Sequence, residues 1–398
     1  MSESAQGRGV HVPAGIRDAR SYSPELESMR GVACMLVFAF HAAMLADPVA
    51  YDAIHPALAF IYAGHTGVTL FFVLSAFFLS RPFLEQASGG PRVSWRQFWK
   101  RRALRILPLY YCTVAFACVM IARRPADVLH ALPYLVFFNF PSSFVTPLKP
   151  YSDVWWSLST EWQFYLVLPL AGLCLLSRRG RVIGAVVLVL YAISYALFAA
   201  KLLGPQTISG GLNLGFSLFG RAPALLCGVV AAWIWLRHRD RIRAALHGRA
   251  WLRRGGADAL LLLVLWGLGC LLALTVRETF FDSEALLHAW HVPEALAWMA
   301  VVLWILLAPV RSATLFQNRF FRGLGVLSYS LYLVHLPILY AIQGSNLDLA
   351  TKGAPGWTAR AWLGTAAAFA LSLALSLVTY RLIERPFLAR KARVGAGA

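Results

Sequence analysis

Long apolar runs alternate along this chain with short polar segments, most of them basic, and the alternation has a single length scale. Apolar stretches cover residues 26–46, 61–80, 103–122, 155–176, 182–201, 215–236, 258–276, 290–309, 323–342 and 361–383. Each is about 20 residues, the length a helix needs to cross a ~30 Å hydrocarbon core. Lipid offers no water to satisfy backbone N–H and C=O groups, so segments of this kind satisfy them internally as helix. The pattern predicts an all-α fold: a polytopic integral membrane helical bundle of about ten transmembrane helices. The apolar segment Leu129–Phe140 is too short to span and reads as re-entrant or interfacial.

Composition removes the soluble alternative. Of 398 residues, 59% are hydrophobic and 14% charged, against roughly 25% charged in a soluble domain. The 14 Trp, 14 Tyr and 25 Phe suit membrane interfaces, where amphipathic rings collect. A net charge of +19 raises nucleic acid as a partner, and the placement of the charge excludes it. With the N-terminus inside, the cytoplasmic segments hold 29 of the 37 Lys and Arg residues. The outer loops hold seven, and Arg221 lies within a span. This positive-inside bias puts both termini in the cytoplasm, and the basic surface adds some attraction to anionic membrane lipid. The organisation expected is an N-terminal cytoplasmic tail (1–24), a transmembrane domain (25–388) and a C-terminal cytoplasmic tail (389–398). The first span has no cleavage site after it and reads as an uncleaved signal anchor.

The six cysteines all fall inside spans, with no CxxC pair, so neither disulfides nor a metal site is expected. There is no phosphate-binding loop and no internal repeat. Any chemistry therefore happens among the helices, where a charge costs about 2.5–3.5 kcal/mol to insert and is kept for a partner or a function. His41, Glu161, Arg221 and His335 lie inside spans, and Arg30 and Arg105 lie at or near cytoplasmic helix ends. Arg30 and His41 are 11 residues apart in SMRGVACMLVFAFHAAML. Three helical turns separate them, so they share a face to within ~20° and stand ~16 Å apart along the axis. Such a pair suits a ligand with an anionic head at the arginine and a reactive end at the histidine. Each residue alone has a plainer reading, as a flanking anchor and a packed core histidine.

The surrounding sequence is familiar. ELESMRGVACMLVFAFH, GVTLFFVLSAFFLS, FWKRRALRILPLYY, WWSLSTEWQFYLVLP and LSYSLYLVHLPIL occur in an order that resembles the membrane acyltransferase-3 family from about Glu25 to Phe387. The resemblance implies an O-acyltransferase in the cytoplasmic (inner) membrane of a bacterium. It would move an acyl group, most often acetyl from cytoplasmic acetyl-CoA, to a hydroxyl of exopolysaccharide, O-antigen or peptidoglycan. The carbohydrate acceptor would in some cases be lipid-linked. The family's Arg-x10-His motif falls on Arg30 and His41, and its Arg-x-x-Arg motif on Arg102 and Arg105. Glu161, Arg221 with Pro223, and His335 match further family positions. Ala76 stands where the family usually has glycine. Some members carry a fused extracytoplasmic hydrolase-like domain, and a relay of that kind would here need a separate partner protein.

The chemistry expected follows from these residues. His41 takes the acceptor hydroxyl proton as general base, with a transient acyl-histidine as the alternative. Arg102 and Arg105 hold the CoA phosphates, and Arg30 holds the cofactor further in. Glu161 has two readings, orienting an imidazole or pairing with Arg221. His335, Ser157 and Ser159 are weaker candidates, open to simple helix–helix hydrogen bonding. Aromatic residues Phe137, Phe138, Phe140, Phe144, Tyr151 and Trp155 are candidates to stack on sugar rings or to line an interface. A His-x4-Asp motif fails because five residues separate His41 from Asp47. The rival from another class is a transporter using the intramembrane His, Glu and Arg, against which no paired halves or broken helices are visible.

Overall fold

A computed structural model of the chain describes residues 23–47, 54–121, 126, 129, 148, 151–199, 215–277, 289–344 and 357–396. Among them every regular element is a helix. In order these are α1 (Pro24–Ala46), α2 (Pro56–Tyr62), α3 (Thr66–Ala87), α4 (Trp95–Ile121), α5 (Trp156–Leu175), α6 (Arg178–Ala199) and α7 (Leu218–His247). A π-helical turn, Leu252–Gly256, leads into α8 (Ala257–Thr275), followed by α9 (His291–Leu307), α10 (Ala313–Phe316) and α11 (Arg319–Gln343). α12 (Ala359–Thr379) passes through a second π turn, Tyr380–Glu384, into α13 (Arg385–Ala396).

Eight helices of the described residues are long and apolar enough to cross a membrane: α1, α3, α4, α6, α7, α8, α11 and α12. The protein is an all-helical membrane protein. The remaining two predicted spans are helical too, but differ from the rest. α5 opens on the polar run WSLSTEW, and α9 has only 17 residues. Helix ends also move relative to the apolar runs. α4 starts eight residues early, in WRQFWKRR, and α7 continues through RHRDRIRAALH. Arginine is a good helix former, so leaving the hydrocarbon does not by itself end a helix. The run 61–80 is cut at Ala63–His65, and α3 begins only at Thr66. Most of the expected N-terminal tail and of Leu129–Phe140 lies outside the described residues.

α3 and α11 are the innermost helices, each 67% buried over its most apolar stretch, whereas no residue in that stretch of α6 is buried. α6 is therefore peripheral. Lipid supplies no hydrophobic drive for helices to pair, so close packing decides the contacts. α1 and α11 meet through glycines. A methyl at Gly31 would overlap the Phe321 carbonyl oxygen, and one at Gly325 the Glu27 carbonyl oxygen. The two helices run in the same direction, since Arg30 meets Ser328 and His41 meets His335. That matches two spans crossing in the same sense, as the first and ninth should. α3 starts deep in the bundle: Gly64 rests on the backbone of Leu36, midway along α1. Above it, Asp47 at the end of α1 accepts from Tyr62 Oη at 2.9 Å, and Tyr62 accepts from Trp357 Nε1 at 3.0 Å.

Candidate active site

Arg30 and His41 share one face of α1, as their spacing predicts, and that face packs on α11. At its inner end are two buried arginine groups. Arg30 Nη2 is 3.4 Å from Ser328 Oγ, while Arg30 Nε is buried with no hydrogen-bond partner among the described residues. Arg102, from α4, also has a buried Nε without a partner, and its guanidinium stands 5.9 Å from the Phe98 ring. Glu161 of α5 lies within electrostatic reach of both arginines and accepts from Ser75 Oγ of α3 at 2.6 Å. An orphaned guanidinium N–H in a water-poor site is costly, and both of these arginines, each near Glu161, carry one.

Three turns along α1, His41 meets His335 of α11. His41 Nδ1 and His335 Nε2 are 3.1 Å apart, with ring centroids separated by 5.0 Å. His335 is 1% exposed and packs beside Phe38 and Tyr332. On the other side of His41, Phe40 stands edge-on to His65, which in turn stands edge-on to Trp290. The site is thus a column between α1 and α11, cationic at one end and imidazole at the other.

A sequence profile of the acyltransferase domain, that of the acyltransferase-3 family, matches residues 23–381. The chain belongs to this acyltransferase family. Its relatives include the peptidoglycan O-acetyltransferase OatA of Listeria monocytogenes, 25% identical over 93% of this chain and 56% of the relative. The putative peptidoglycan O-acetyltransferase YrhL of Bacillus subtilis is 25% identical over 80% of the chain and 49% of its own length. The O-acetyltransferase OatA of Staphylococcus aureus matches 54% of the chain at 25% identity. The chain spans about half the length of the first two relatives. No solved structure matches it.

Family membership bears out the resemblance carried by the five sequence blocks, and the structure gives the individual residues their neighbours. Arg105 is not free alongside Arg102. Its Nη1 is paired with Glu384 at 2.9 Å, the Glu384 side chain is 1% exposed, and Ser330 Oγ donates to the other carboxylate oxygen. Tyr329 lies under the Arg105 guanidinium at 5.6 Å and donates to Ile106 O. Sequence reasoning missed Glu384 because it falls one residue beyond the last apolar run. The π turn carries it into the bundle; its signal was an acidic residue between Arg381 and Arg385.

Arg221 is paired too, but not with Glu161. Its Nη1 contacts Thr69 Oγ1 at 3.2 Å, His291 Nδ1 at 3.0 Å and Glu294 Oε2 at 4.0 Å, and its Nε donates to Gly215 O. Trp156 and Trp290 flank the guanidinium at 5.2 and 5.9 Å. Glu294 and His291 sit inside the predicted span 290–309, where the insertion-cost argument applies to them as well. Of the serines, Ser157 Oγ is 2.7 Å from Tyr332 Oη, and both approach the Val154 carbonyl. One of these hydroxyls donates to the other and the second to Val154, so Ser157 is held by structure. Ser159 is buried. Trp155 is 3% exposed against Tyr110, and Tyr151 stands edge-on to Phe116. The phenylalanines at 137, 138, 140 and 144 lie outside the described residues. Ala76, where the family usually has glycine, faces Gly228 of α7, which leaves room for the methyl. Among the described residues no cluster of His, Cys, Asp and Glu is suited to a metal.

Proposed function

We propose that the protein is an O-acyltransferase of the cytoplasmic membrane that passes an acetyl group from cytoplasmic acetyl-CoA to a hydroxyl of a cell-surface carbohydrate. Peptidoglycan is the acceptor favoured by the named relatives. The observation that carries this reading is the column itself. Arg30 and Arg102 offer unpartnered N–H groups at one end, and the His41 imidazole stands three turns, ~16 Å, along the same helix. An extended donor with an anionic head and a terminal thioester fits that spacing. The positive-inside charge pattern puts the arginine end toward the cytoplasm. Arg30 and Arg102 hold the donor's phosphates by charge-assisted hydrogen bonds, with the Glu161 carboxylate within electrostatic reach of both. His41 removes the proton of the acceptor hydroxyl as it attacks the thioester carbonyl.

The test uses purified protein in detergent or nanodiscs with radiolabelled acetyl-CoA and soluble peptidoglycan fragments. Label is expected on the glycan with the wild type, and His41→Ala should slow transfer by roughly 10²–10⁴-fold, the usual share of a general base. Equal transfer by the variant refutes the role of His41. Solute crossing proteoliposomes without any label transfer would replace the whole reading with transport.

A further inference from the structure

Four contacts made by two imidazoles determine where their protons sit. His335 Nδ1 lies 3.1 Å from the Leu331 carbonyl oxygen and 2.9 Å from that of Tyr332. A carbonyl only accepts, so His335 carries its proton on Nδ1, and the neutral ring presents Nε2 as a bare acceptor. That Nε2 is 3.1 Å from His41 Nδ1, which is also 2.9 Å from Val37 O. Both neighbours of His41 Nδ1 are acceptors. His41 is therefore protonated on Nδ1, and its lone pair is on Nε2.

The opposite arrangement fails on the same contacts. For His335 Nε2 to donate, His335 would have to be an imidazolium, 1% exposed and without a carboxylate among its hydrogen-bond partners. It would also set the His41 lone pair against the Val37 oxygen.

We propose that His335 is a positioning residue for the acyl transfer: it fixes the tautomer and ring orientation of His41, so that His41 Nε2 is the basic atom. This rests on the reading of His41 as general base. As the acceptor oxygen bonds to the thioester carbonyl carbon, its proton passes to His41 Nε2. The imidazolium so formed keeps Nδ1–H directed at His335 Nε2 and Val37 O. When the carbon–sulfur bond breaks, His41 Nε2 returns the proton to the departing CoA sulfur, leaving ester and free thiol. His335 thus does for His41 what a buried carboxylate does in a Ser-His-Asp triad, without placing a negative charge in the membrane. Phe38 and Tyr332, packed on the His335 ring, hold it in register.

The experiment has a spectroscopic and a kinetic arm on the full chain. Protein labelled with ¹⁵N-histidine, with His41 assigned by the difference from His41→Gln, should show a proton-coupled Nδ1 and a lone-pair Nε2 at His41. A His41 protonated on Nε2 in the wild type overturns the proposal, and this arm needs no His335 variant to fold. In the acetyl-transfer assay, His335→Leu should lower kcat by about 10- to 100-fold while the donor KM stays within about twofold, since only the transition state loses the oriented base. His335→Gln, whose side-chain carbonyl can accept the Nδ1 proton, should recover part of that loss. A raised KM with unchanged kcat, or no effect at all, sinks the positioning role. A His41→Ala enzyme that remains fully active removes the base reading itself. An inactive His41→Ala beside a fully active His335→Leu removes only the role of His335.

Discussion

Replacing Glu294 by leucine should destabilise the protein far more than replacing a surface carboxylate, because it strands a buried cation. Arg221 is 4% exposed and Glu294 0%, with 4.0 Å between Nη1 and Oε2. At that distance the pair attracts by about 4 kcal/mol with an effective dielectric of 20. His291 Nδ1 lies 3.0 Å from Arg221 Nη1 and 3.3 Å from the same carboxylate, so it packs against both members of the pair. Removing one partner of a buried pair typically costs about 3–5 kcal/mol, most of it the penalty on the charge left behind. Glu294→Leu and Arg221→Met should each lose an amount of this size. The double variant should lose less than their sum, with a coupling of about 1–3 kcal/mol. The assay is reversible unfolding of the purified protein in mixed micelles on titrating in dodecyl sulfate. Glu161→Gln supplies the contrast: Arg221 stands 4.0 Å from Glu294, whereas Glu161 accepts from Ser75 and has no ion pair with Arg221 within 4.0 Å among the described residues, so Glu161→Gln and Arg221→Met should add. Additivity of Glu294→Leu with Arg221→Met to within about 0.5 kcal/mol, or coupling of Arg221 to Glu161 instead, refutes the pairing.

The two members of the Arg-x-x-Arg motif should separate in steady-state kinetics. Arg102→Ala removes a free guanidinium from the donor site and should raise the acetyl-CoA KM by about tenfold or more, the value of a hydrogen bond to a charged group. Arg105→Ala should act mainly on stability, by leaving Glu384 buried and unpaired, and Arg105→Ala with Glu384→Gln should recover much of that loss. Equal KM effects with no stability difference would return Arg105 to the donor site. Two glycines of α11 provide a packing test. Gly323→Ala meets no neighbouring atom and should be neutral or stabilising by up to about 1 kcal/mol through helix propensity, whereas Gly325→Ala collides with Glu27 O and should lower the unfolding midpoint. Similar midpoints for the two would contradict the close α1–α11 contact.

What the sequence made legible is what depends on one helix at a time. Each 20-residue run falls largely on helix among the described residues, eight of those helices being long and apolar enough to cross a membrane, and the 11-residue interval put Arg30 and His41 on one face before any partner helix was known. Pairing between helices is a tertiary property, and there the sequence offered several equivalent choices. Glu161 and Glu294 are both acidic residues in apolar runs, and insertion cost marks each as important without saying which one faces Arg221. Likewise, the π turn that swings Glu384 onto Arg105 leaves no periodic trace. Once both pairings are known, they bear on the donor site. Glu384 and Glu294 neutralise Arg105 and Arg221, while Glu161 accepts from Ser75 and is near both Arg30 and Arg102 without forming an ion pair to either within 4.0 Å among the described residues. Each of those two arginines keeps a buried N–H without an acceptor, a penalty of about 1–3 kcal/mol apiece, whereas Arg105 and Arg221 have carboxylates. The natural occupant of such a place is an anion that arrives from outside the chain and leaves again. On the proposed function a fixed carboxylate there would compete with the donor at every turnover, so the absence that weakens the resting fold would keep the site open to the donor's phosphates.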